Sequence, residues 1–154
     1  MKIGVISDTH GYLDPAVFQL FAGVEHILHG GDVGPYSLIH QLEQIAPVTA
    51  VLGNTDSHEL GLREVETVLL GGCSFFLRHI VEMGSLDTAL LSHVRRAAAR
   101  VVIFGHTHRP YQERQGGILF LNPGYAGRPR FQLQRSVALL RIEAESLEIE
   151  FLPL

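Results

Sequence analysis

Polar clusters follow short apolar segments along this chain, and that arrangement restricts the folds it can adopt. In the first half, three β-prone segments at residues 3–6, 26–29 and 48–52 alternate with helical ones. Alternation of this kind favours parallel strands joined by right-handed crossovers. Ligands of open α/β sheets bind outside the carboxyl ends of the strands. We therefore expect the polar groups that follow these strands to meet at one edge of a sheet.

The second half changes to antiparallel patterns. Glycine pairs at 71–72 and 116–117 are placed as the turns of two β-hairpins. Helices are predicted after Asp14-Pro15, where aspartate caps and proline opens the helix, after Gly34-Pro35, and after Ser85 as an N-cap. The further predicted strands are 64–70, 73–77, 100–104, 111–114, 118–121, 136–142 and 147–152.

Charge and composition exclude several classes of protein. With 154 residues, 46% of them hydrophobic and 18% charged, the chain is predicted to form one globular domain spanning 1–154. Its net charge of −4 argues against sequence-independent nucleic-acid binding, which needs a cationic surface. Cys73 is the only cysteine, so an intrachain disulfide is excluded. No apolar run approaches the roughly 18 residues of a membrane span and no signal-peptide pattern opens the chain, so we expect a cytoplasmic protein without membrane contact.

A pair of histidines follows the apolar run 101–104, in the sequence Gly105-His106-Thr107-His108. If the backbone stays extended, imidazoles at i and i+2 lie on the same side. Such a pair can hold one metal, or one each of two adjacent metals. The alternative is a polar turn whose histidines bond to backbone groups. Other ligands at the same place decide between the two.

Further ligand-type side chains follow the other predicted strands. Asp8 and His10 have the same spacing after the first strand, Asp32 follows two glycines and Asn54 follows one. With the histidine pair and His79 these residues make seven ligand-type side chains. One tetrahedral zinc ion needs only four ligands, whereas two metals that share a bridging carboxylate would use all seven. Carboxylate, amide and imidazole groups together favour Mn, Fe, Co or Zn over Mg or Ca. The full set is Asp8, His10, Asp32, Asn54, His79, His106 and His108.

Structural roles compete with this interpretation. Asp8 and Asp32 are also typical capping residues, and Asn54 is a typical turn residue. His93 competes with His79 for the strand-end ligand position, but His93 falls inside a predicted helix. Three other histidines, His26, His29 and His40, are expected to be structural or exposed. Cys73 is expected to be a small core residue.

Charge indicates which chemistry such a site would suit. Two divalent cations would bring more charge than Asp8, Asp32 and a bridging hydroxide neutralise. The surplus would bind a phosphoester oxygen while the hydroxide attacks in line. The residues alone are thus compatible with phosphoester hydrolysis.

The order of these motifs resembles that of the calcineurin-like metallophosphoesterases, and the small bacterial and archaeal phosphodiesterase branch is the most similar. The resemblance covers nearly the whole chain, and its motifs are specific only as an ordered set. It implies an α/β fold, a four-layer α/β/β/α sandwich with mixed sheets flanked by helices. The matching motifs are Asp8-x-His10, Gly31-Asp32, Gly53-Asn54, His79 after a strand and Gly105-His106-x-His108, with Asn122-Pro123-Gly124 near the end.

The resemblance also implies how the ligands divide. One metal would be held by Asp8, His10, Asp32 and His108, and the other by Asp32, Asn54, His79 and His106, with Asp32 as the bridge. Asp32 and Asn54 also count as catalytic residues. The cofactors are expected to be two divalent transition metals, Mn first, with Fe, Zn, Co and Ni as alternatives. The implied activity is hydrolysis of a small phosphoester, a phosphodiester rather than a phosphomonoester.

Departures from the family pattern bear on the catalytic residues. Many members have histidine directly after the Gly-Asn pair, where this chain has Thr55, so the general acid is unassigned. His58, four residues after Asn54, is a candidate catalytic residue for that role. Arg130, with Arg128 and Thr55, is a candidate contact for the substrate phosphate.

Two further departures and several alternatives stay open. Ile80 stands where the family often has glycine, and Tyr125 where it often has serine. One alternative is a non-catalytic binding module, since a eukaryotic retromer subunit that resembles these phosphodiesterases works as a scaffold. Another is a metal-dependent nuclease, which the negative net charge of the chain disfavours. Whether the chain forms a homo-oligomer is left open. Substrate choice is expected to lie in the loops 57–63 and 125–131.

Overall fold

The computed structural model describes residues 1–130, 132–144 and 146–154. Phe131, the last residue of the predicted substrate loop 125–131, lies outside the described residues. The α-helices of the described part are α1 Ala16–Leu20, α2 Ser37–Glu43 and α3 Thr88–Arg96, and none is long and apolar enough to cross a membrane. The strands are β1 Lys2–Ile6, β2 His26–His29, β3 Val48–Ala50, β4 Val65–Leu70, β5 Cys73–Arg78, β6 Val101–Ile103, β7 Tyr111–Gln115, β8 Ile118–Asn122, β9 Ser136–Glu143 and β10 Ser146–Pro153.

The first sheet has the strand order β10-β9-β1-β2-β3. Strands β1, β2 and β3 run parallel, as their alternation with α1 and α2 predicts. Strand β9 pairs antiparallel with β1, and β10 pairs antiparallel with β9. The third strand ends at Ala50, short of the predicted residue 52, because the Leu52 N–H bonds to the Arg63 carbonyl (2.8 Å) instead of to the sheet.

The second sheet has the order β4-β5-β6-β8-β7. Its outer pairs, β4–β5 and β8–β7, are the two predicted hairpins, with Leu70 opposite Cys73 and Gln115 opposite Ile118. Strand β6 joins them, because it pairs in parallel with both β5 and β8. Both sheets are therefore mixed.

Alternate residues of the strands pack into different layers, as the period of two requires. On β1, Ile3 and Val5 face the second sheet, whereas Ile6 lies on the side of α1 and α2. On β5, Phe75 packs between the sheets and Phe76 packs with α3. The layers therefore run from α1 and α2 through the two sheets to α3, which confirms the predicted α/β/β/α sandwich.

The start of α3 corrects one prediction. Ser85 is predicted to cap this helix but lies in a short 3-10 turn, Met83–Ser85. The cap is Asp87, whose carboxylate accepts the Leu90 N–H (3.1 Å). Aspartate at this position also interacts favourably with the helix dipole, so the helix begins at Thr88.

Candidate metal centre

The carboxyl ends of five strands meet at one edge of the molecule, where the two sheets converge. The Asp8 N–H donates to the Gly31 carbonyl (3.0 Å), which extends the β1–β2 pairing beyond the strands. The Gly105 N–H donates to the His79 carbonyl (3.0 Å), which extends the β6–β5 pairing in the same way. The loops after β1, β2, β3, β5 and β6 thus bring all seven predicted ligand residues together.

One group of side chains lies on the β1 side of this edge. His108 Nε2 is 3.2 Å from Asp8 Oδ1 and 3.4 Å from His10 Nε2. Donor atoms of these three residues all lie within 4.8 Å of one another. Asp8 is completely buried and the two imidazoles are partly exposed. A carboxylate therefore forms the floor of this group and two histidines form its rim.

A second group lies on the β5 side. Asn54 Oδ1 is 3.1 Å from His79 Nε2 and 2.9 Å from His106 Nδ1. His79 is buried, and its Nδ1–H donates to the Gly30 carbonyl (2.7 Å). Because a carbonyl only accepts, one proton is fixed on Nδ1, and Nε2 is the nitrogen that can bind a cation. His93, the competing residue, is exposed on α3.

Asp32 lies between the two groups. Its Oδ2 is 3.8 Å from His10 Nε2 and 3.4 Å from His79 Nε2, while its Oδ1 accepts the Thr55 N–H (2.9 Å). The side chain is buried, so it forms part of the floor of both groups. One carboxylate oxygen thus faces both sides, which is the placement that a bridging ligand needs.

The separations between donor atoms fit metal ligation. Two ligand atoms about 2.1 Å from one ion in tetrahedral geometry lie about 3.4 Å apart. His108 Nε2 lies 3.2 Å from the Asp8 carboxylate and 3.4 Å from His10 Nε2. The donor set of carboxylate, amide oxygen and imidazole nitrogen also suits divalent transition metals. The number and identity of the metals stay predictions.

Asp32 is held ionised by its neighbours. Burial alone would raise the pKa of this carboxyl, but hydrogen bonds with His79 and with the Thr55 N–H outweigh burial and keep the pKa well below its ordinary value of 3.8. Burial lowers the pKa of His79, but the bonds to Asp32 and to the Gly30 carbonyl raise it overall. A proton and a metal on His79 Nε2 exclude each other, so metal binding at this pair competes with protonation.

The backbone at the histidine pair is not extended. The φ angle is +69° at His106 and +56° at His108, both in the left-handed region. The two imidazoles diverge, because His106 contacts Asn54 while His108 contacts Asp8. The condition under which both imidazoles would lie on the same side, an extended backbone, is therefore not met.

Left-handed backbone conformations concentrate at this site. Eight non-glycine residues of the described part have positive φ, and five of them are predicted ligands. Such conformations cost on the order of 1–3 kcal/mol each and collect where function requires a particular side-chain direction. Asp and His are among the residue types that tolerate them best. The five residues are Asp8, His10, Asp32, His106 and His108.

Two glycines make room for the carboxylates. A Cβ atom on Gly53 would lie 2.1 Å from both the backbone nitrogen and Oδ1 of Asp32. A Cβ atom on Gly105 would lie 2.1 Å from Ser7 Oγ and 2.6 Å from Asp8 Oδ2. A side chain at either position would displace a predicted ligand. Gly105 is therefore required for close packing.

Asp56 is a site-organising residue that sequence reasoning misses. Its carboxylate accepts three backbone N–H groups, from Val33 (3.0 Å), Gly34 (2.8 Å) and Gly53 (2.8 Å). These bonds tie the loop after β2 to the loop after β3. The available signal is an aspartate at the end of a Gly-Asn-Thr-Asp turn, where such residues often accept backbone N–H groups.

His29 is a buried structural residue beneath the loops of the site. Its Nδ1 accepts the Gly31 N–H (3.2 Å), so Nε2 carries the proton and donates to Thr9 Oγ1 (3.0 Å). The Thr9 hydroxyl donates onward to the Val33 carbonyl (2.9 Å). Complete burial lowers the pKa of His29 from its ordinary 6.5 to about 4. The ring is therefore neutral at neutral pH.

Thr55 and His58 lie close to the ligand groups. The Thr55 hydroxyl oxygen is 3.4 Å from His10 Nδ1. His58 lines a cavity of about 280 Å³, together with Asn54 and His79. Both predicted residues thus lie at the mouth of the site.

The two predicted arginines reach the site less directly. The Arg130 guanidinium lies 5.8 Å from the centroid of the Tyr125 ring, and that ring packs against His108 with centroids 4.7 Å apart. Tyr125 is completely buried and forms the wall behind this histidine, where the family often has only serine. The Arg128 guanidinium instead lies 4.9 Å from the centroid of Tyr12. Arg130 is therefore the better placed of the two.

Comparison with known sequences identifies the family of this chain. The family model of the calcineurin-like phosphoesterase superfamily domain matches residues 1–145. A probable metallophosphoesterase of Methanothermobacter thermautotrophicus is 37% identical, over 99% of this chain and 92% of its own length. The phosphodiesterase YfcE of Escherichia coli is 30% identical, over 84% of this chain and 82% of its own.

Solved structures show the same architecture. An archaeal phosphodiesterase has a TM-score of 0.77 and 26% identity, over 99% of this chain and 100% of its own. Vps29 of Entamoeba histolytica, complexed with Zn²⁺, has a TM-score of 0.74 and 26% identity, over 99% of both chains. The sandwich and its strand-end carboxylates and histidines define a metallophosphoesterase. This chain belongs to the calcineurin-like phosphoesterase superfamily, whose members bind divalent metals.

Proposed function

We propose that this chain is a two-metal phosphoester hydrolase that prefers phosphodiesters. The observation that carries the proposal is the position of Asp32, whose Oδ2 lies 3.8 Å from His10 Nε2 in one group and 3.4 Å from His79 Nε2 in the other. Relatives named phosphodiesterase in Escherichia coli and Methanocaldococcus jannaschii support the same reaction. The preference for diesters follows from Thr55, because the chain lacks the histidine that many members carry after the Gly-Asn pair.

The two groups would hold one divalent cation each, Mn by first choice. When bound, such cations polarise the phosphoester oxygens and lower the pKa of a shared water. The chain supplies fixed ligand directions, because the Asp32 carboxylate is held by the Thr55 N–H and the His79 ring by the Gly30 carbonyl. The proposed sets are Asp8, His10, Asp32 and His108 for one cation, and Asp32, Asn54, His79 and His106 for the other.

Release of an alkoxide leaving group needs a proton donor. His58 is the proposed donor, because it lines the same cavity as Asn54 and His79. The Thr55 hydroxyl is too weak an acid for this task at neutral pH, but it can donate a hydrogen bond to a phosphate oxygen. His58 would therefore supply the proton that, in many members of the family, comes from the histidine at the position of Thr55.

Arg130 is the proposed cationic contact for the substrate phosphate. Its side chain is exposed and lies beside Tyr125, which packs against His108. Arg128 is the secondary candidate, because its guanidinium already lies over the Tyr12 ring.

The test is hydrolysis of bis-p-nitrophenyl phosphate and of p-nitrophenyl phosphate by metal-stripped protein with Mn, Co, Ni or Zn restored. We expect metal-dependent turnover with the diester favoured. Asp32→Asn and His108→Ala should each lose at least about 100-fold, since even residues that only support metal ligands are worth 10–100-fold. His40→Ala is the matched control, because His40 is exposed on α2 and bonds to Glu43. Full activity in both ligand variants, or no turnover with metal bound, would contradict the proposal.

A non-catalytic binding module is the second candidate. The observation that favours it is the fold itself, which matches Vps29 almost as closely as it matches an archaeal phosphodiesterase, with TM-scores of 0.74 and 0.77. The presence of all seven ligand-type side chains at one edge favours catalysis instead. Metal bound at full occupancy without turnover on any phosphoester would support the binding module.

A further inference from the structure

The cavity of about 280 Å³ extends well beyond the ligand groups, and its outer part is not used by the chemistry proposed above. Asn54 and His79 form the wall nearest the metal centre, and Glu64, Arg78 and Ile80 form the outer wall. The antiparallel register of β4 and β5 places Val65 opposite Arg78, and Glu64 and His79 are the next residues beyond the ends of the two strands. The cavity therefore lies between the segment 52–58 that follows β3 and the β4–β5 hairpin, which is followed by the predicted ligand His79.

The size of the cavity sets what can occupy it. An apolar protein cavity of about 150 Å³ holds one benzene ring, so about 280 Å³ accommodates about two rings. Because Asn54 and His79 line it, the cavity is adjacent to the two ligand groups. An ester group of a phosphate bound between those groups can therefore enter it.

The lining disfavours a second charged phosphate. The lining includes two acidic residues, Glu64 and Asp56, and one arginine, Arg78, whose Nη1 lies 3.8 Å from Asp87 Oδ2. Ile80 adds an exposed apolar side chain to this polar rim. Hydrogen-bond donors, acceptors and apolar surface together suit an uncharged polar ring group.

Two arginines that do not line the cavity are associated with the His108 side of the site. Arg109 directly follows His108, and Arg130 lies beside Tyr125, with both arginines exposed. The charged part of a substrate is attracted to that end. The uncharged ester group would then occupy the cavity at the other end of the site.

We propose that this cavity binds the leaving alcohol of the phosphodiester, an uncharged ring-containing group about two rings in size, and that Ile80, Glu64 and Arg78 select it. Ile80 supplies a wall that the glycine common in the family lacks. In the hydrolysis a water oxygen forms the new bond to phosphorus, the phosphorus–oxygen bond to this alcohol breaks, and the departing oxygen takes the proton of His58, which lines the same cavity. The proton given up by the water restores that of His58, and the products are the free alcohol and a phosphomonoester. The identity of the leaving group rests on the proposed function, whereas binding in the cavity does not.

Binding is tested with thymidine, an uncharged probe with a base and a sugar ring. Titration of thymidine into ¹⁵N-labelled, Zn-loaded protein should shift backbone amides at 52–58, 64 and 78–80. Ile80→Trp fills the cavity and should abolish these shifts. Leu69→Trp is the matched control, because Leu69 is 70% exposed on β4 and should leave them unchanged. No binding at millimolar thymidine, shifts elsewhere, or full shifts in Ile80→Trp would overturn the proposal.

Selection of the leaving group is tested with methyl thymidine 5′-phosphate, whose two alcohols have similar leaving ability. Cleavage to thymidine and methyl phosphate should exceed cleavage to thymidine 5′-phosphate and methanol by at least about tenfold, a discrimination typical of one pocket. Ile80→Trp should bring the product ratio close to one, and Leu69→Trp should retain it. Predominant release of methanol, or an unchanged ratio in Ile80→Trp, would overturn the assignment. If wild type with metal bound cleaves no diester, the proposed function fails, and the thymidine titration still decides whether the cavity binds a ring group.

Discussion

Protonation of His29 is expected to destabilise the protein below neutral pH. The ring is completely buried, and its Nδ1 accepts the Gly31 N–H, so a second proton would break that hydrogen bond. Burial lowers the pKa of His29 to about 4, against 6.5 for an exposed histidine. Because the folded-state pKa lies below the unfolded-state value, this stability is fully present above pH 6.5 and is lost as the pH falls toward 4.

The size of the effect follows from the two pKa values. The difference between 6.5 and about 4 corresponds to about 3 kcal/mol of unfolding free energy. About 2 kcal/mol should be lost by pH 5 and about 3 kcal/mol by pH 4. His29 is completely buried, so solvent screening does not reduce these figures.

The assay is urea unfolding of metal-free protein between pH 7.5 and pH 4.5, for wild type, His29→Gln and His40→Gln. Carboxylates titrate in all three proteins, so the difference from wild type isolates the imidazole. At pH 7.5 His29→Gln should be less stable than wild type. The difference in unfolding free energy between the two proteins should narrow by about 2 kcal/mol by pH 5. The exposed His40→Gln control should run parallel to wild type. A gap for His29→Gln that stays constant with pH would refute the reasoning.

Two further predictions concern the loops that place the ligands. Gly53→Ala should lower the melting temperature and abolish metal-dependent turnover, because its methyl group would lie 2.1 Å from atoms of Asp32. Gly84→Ala is the control: apart from its chain neighbours, no described residue has an atom within 4 Å of the added carbon, so the unfolding free energy should change by less than about 0.5 kcal/mol. Asp56→Asn should cost about 1–3 kcal/mol, because one amide oxygen cannot satisfy the three N–H groups that the carboxylate accepts. Hydrogen exchange should speed up at those three amides together, and unchanged protection would count against the role given to Asp56.

Much of the fold is predictable because its signals are local. Alternation of strands and helices predicts the parallel block β1–β2–β3, and the two glycine pairs predict the hairpins β4–β5 and β7–β8. The cap of α3 is harder, because Ser85 and Asp87 are both good caps and the 3-10 turn before the helix decides between them. Pairing of β6 with β8 rather than β7 depends on tertiary packing, which local patterns do not contain.

The residues of the candidate site are predictable from the sequence, but the directions of their side chains are not. The residue types and their strand-end positions indicate the set of side chains that the structure brings together. The divergence of His106 from His108 depends on left-handed backbone angles that the loop contacts impose. The cavity beside His79 is formed by segments distant in sequence, so no local pattern predicts it. For Asp56 the turn is a local signal, but its bonds to Val33 and Gly34 depend on the distant loop after β2.

The central claim is that two cations are held on either side of Asp32. Anomalous scattering from crystals of Mn-loaded protein, with elemental analysis of the same sample, tests it most directly. The account predicts two peaks and two metal equivalents per chain, with His106→Ala losing only the peak on the β5 side and His108→Ala only the peak on the β1 side. A single peak in the wild type, or loss of the same peak in both variants, would contradict it.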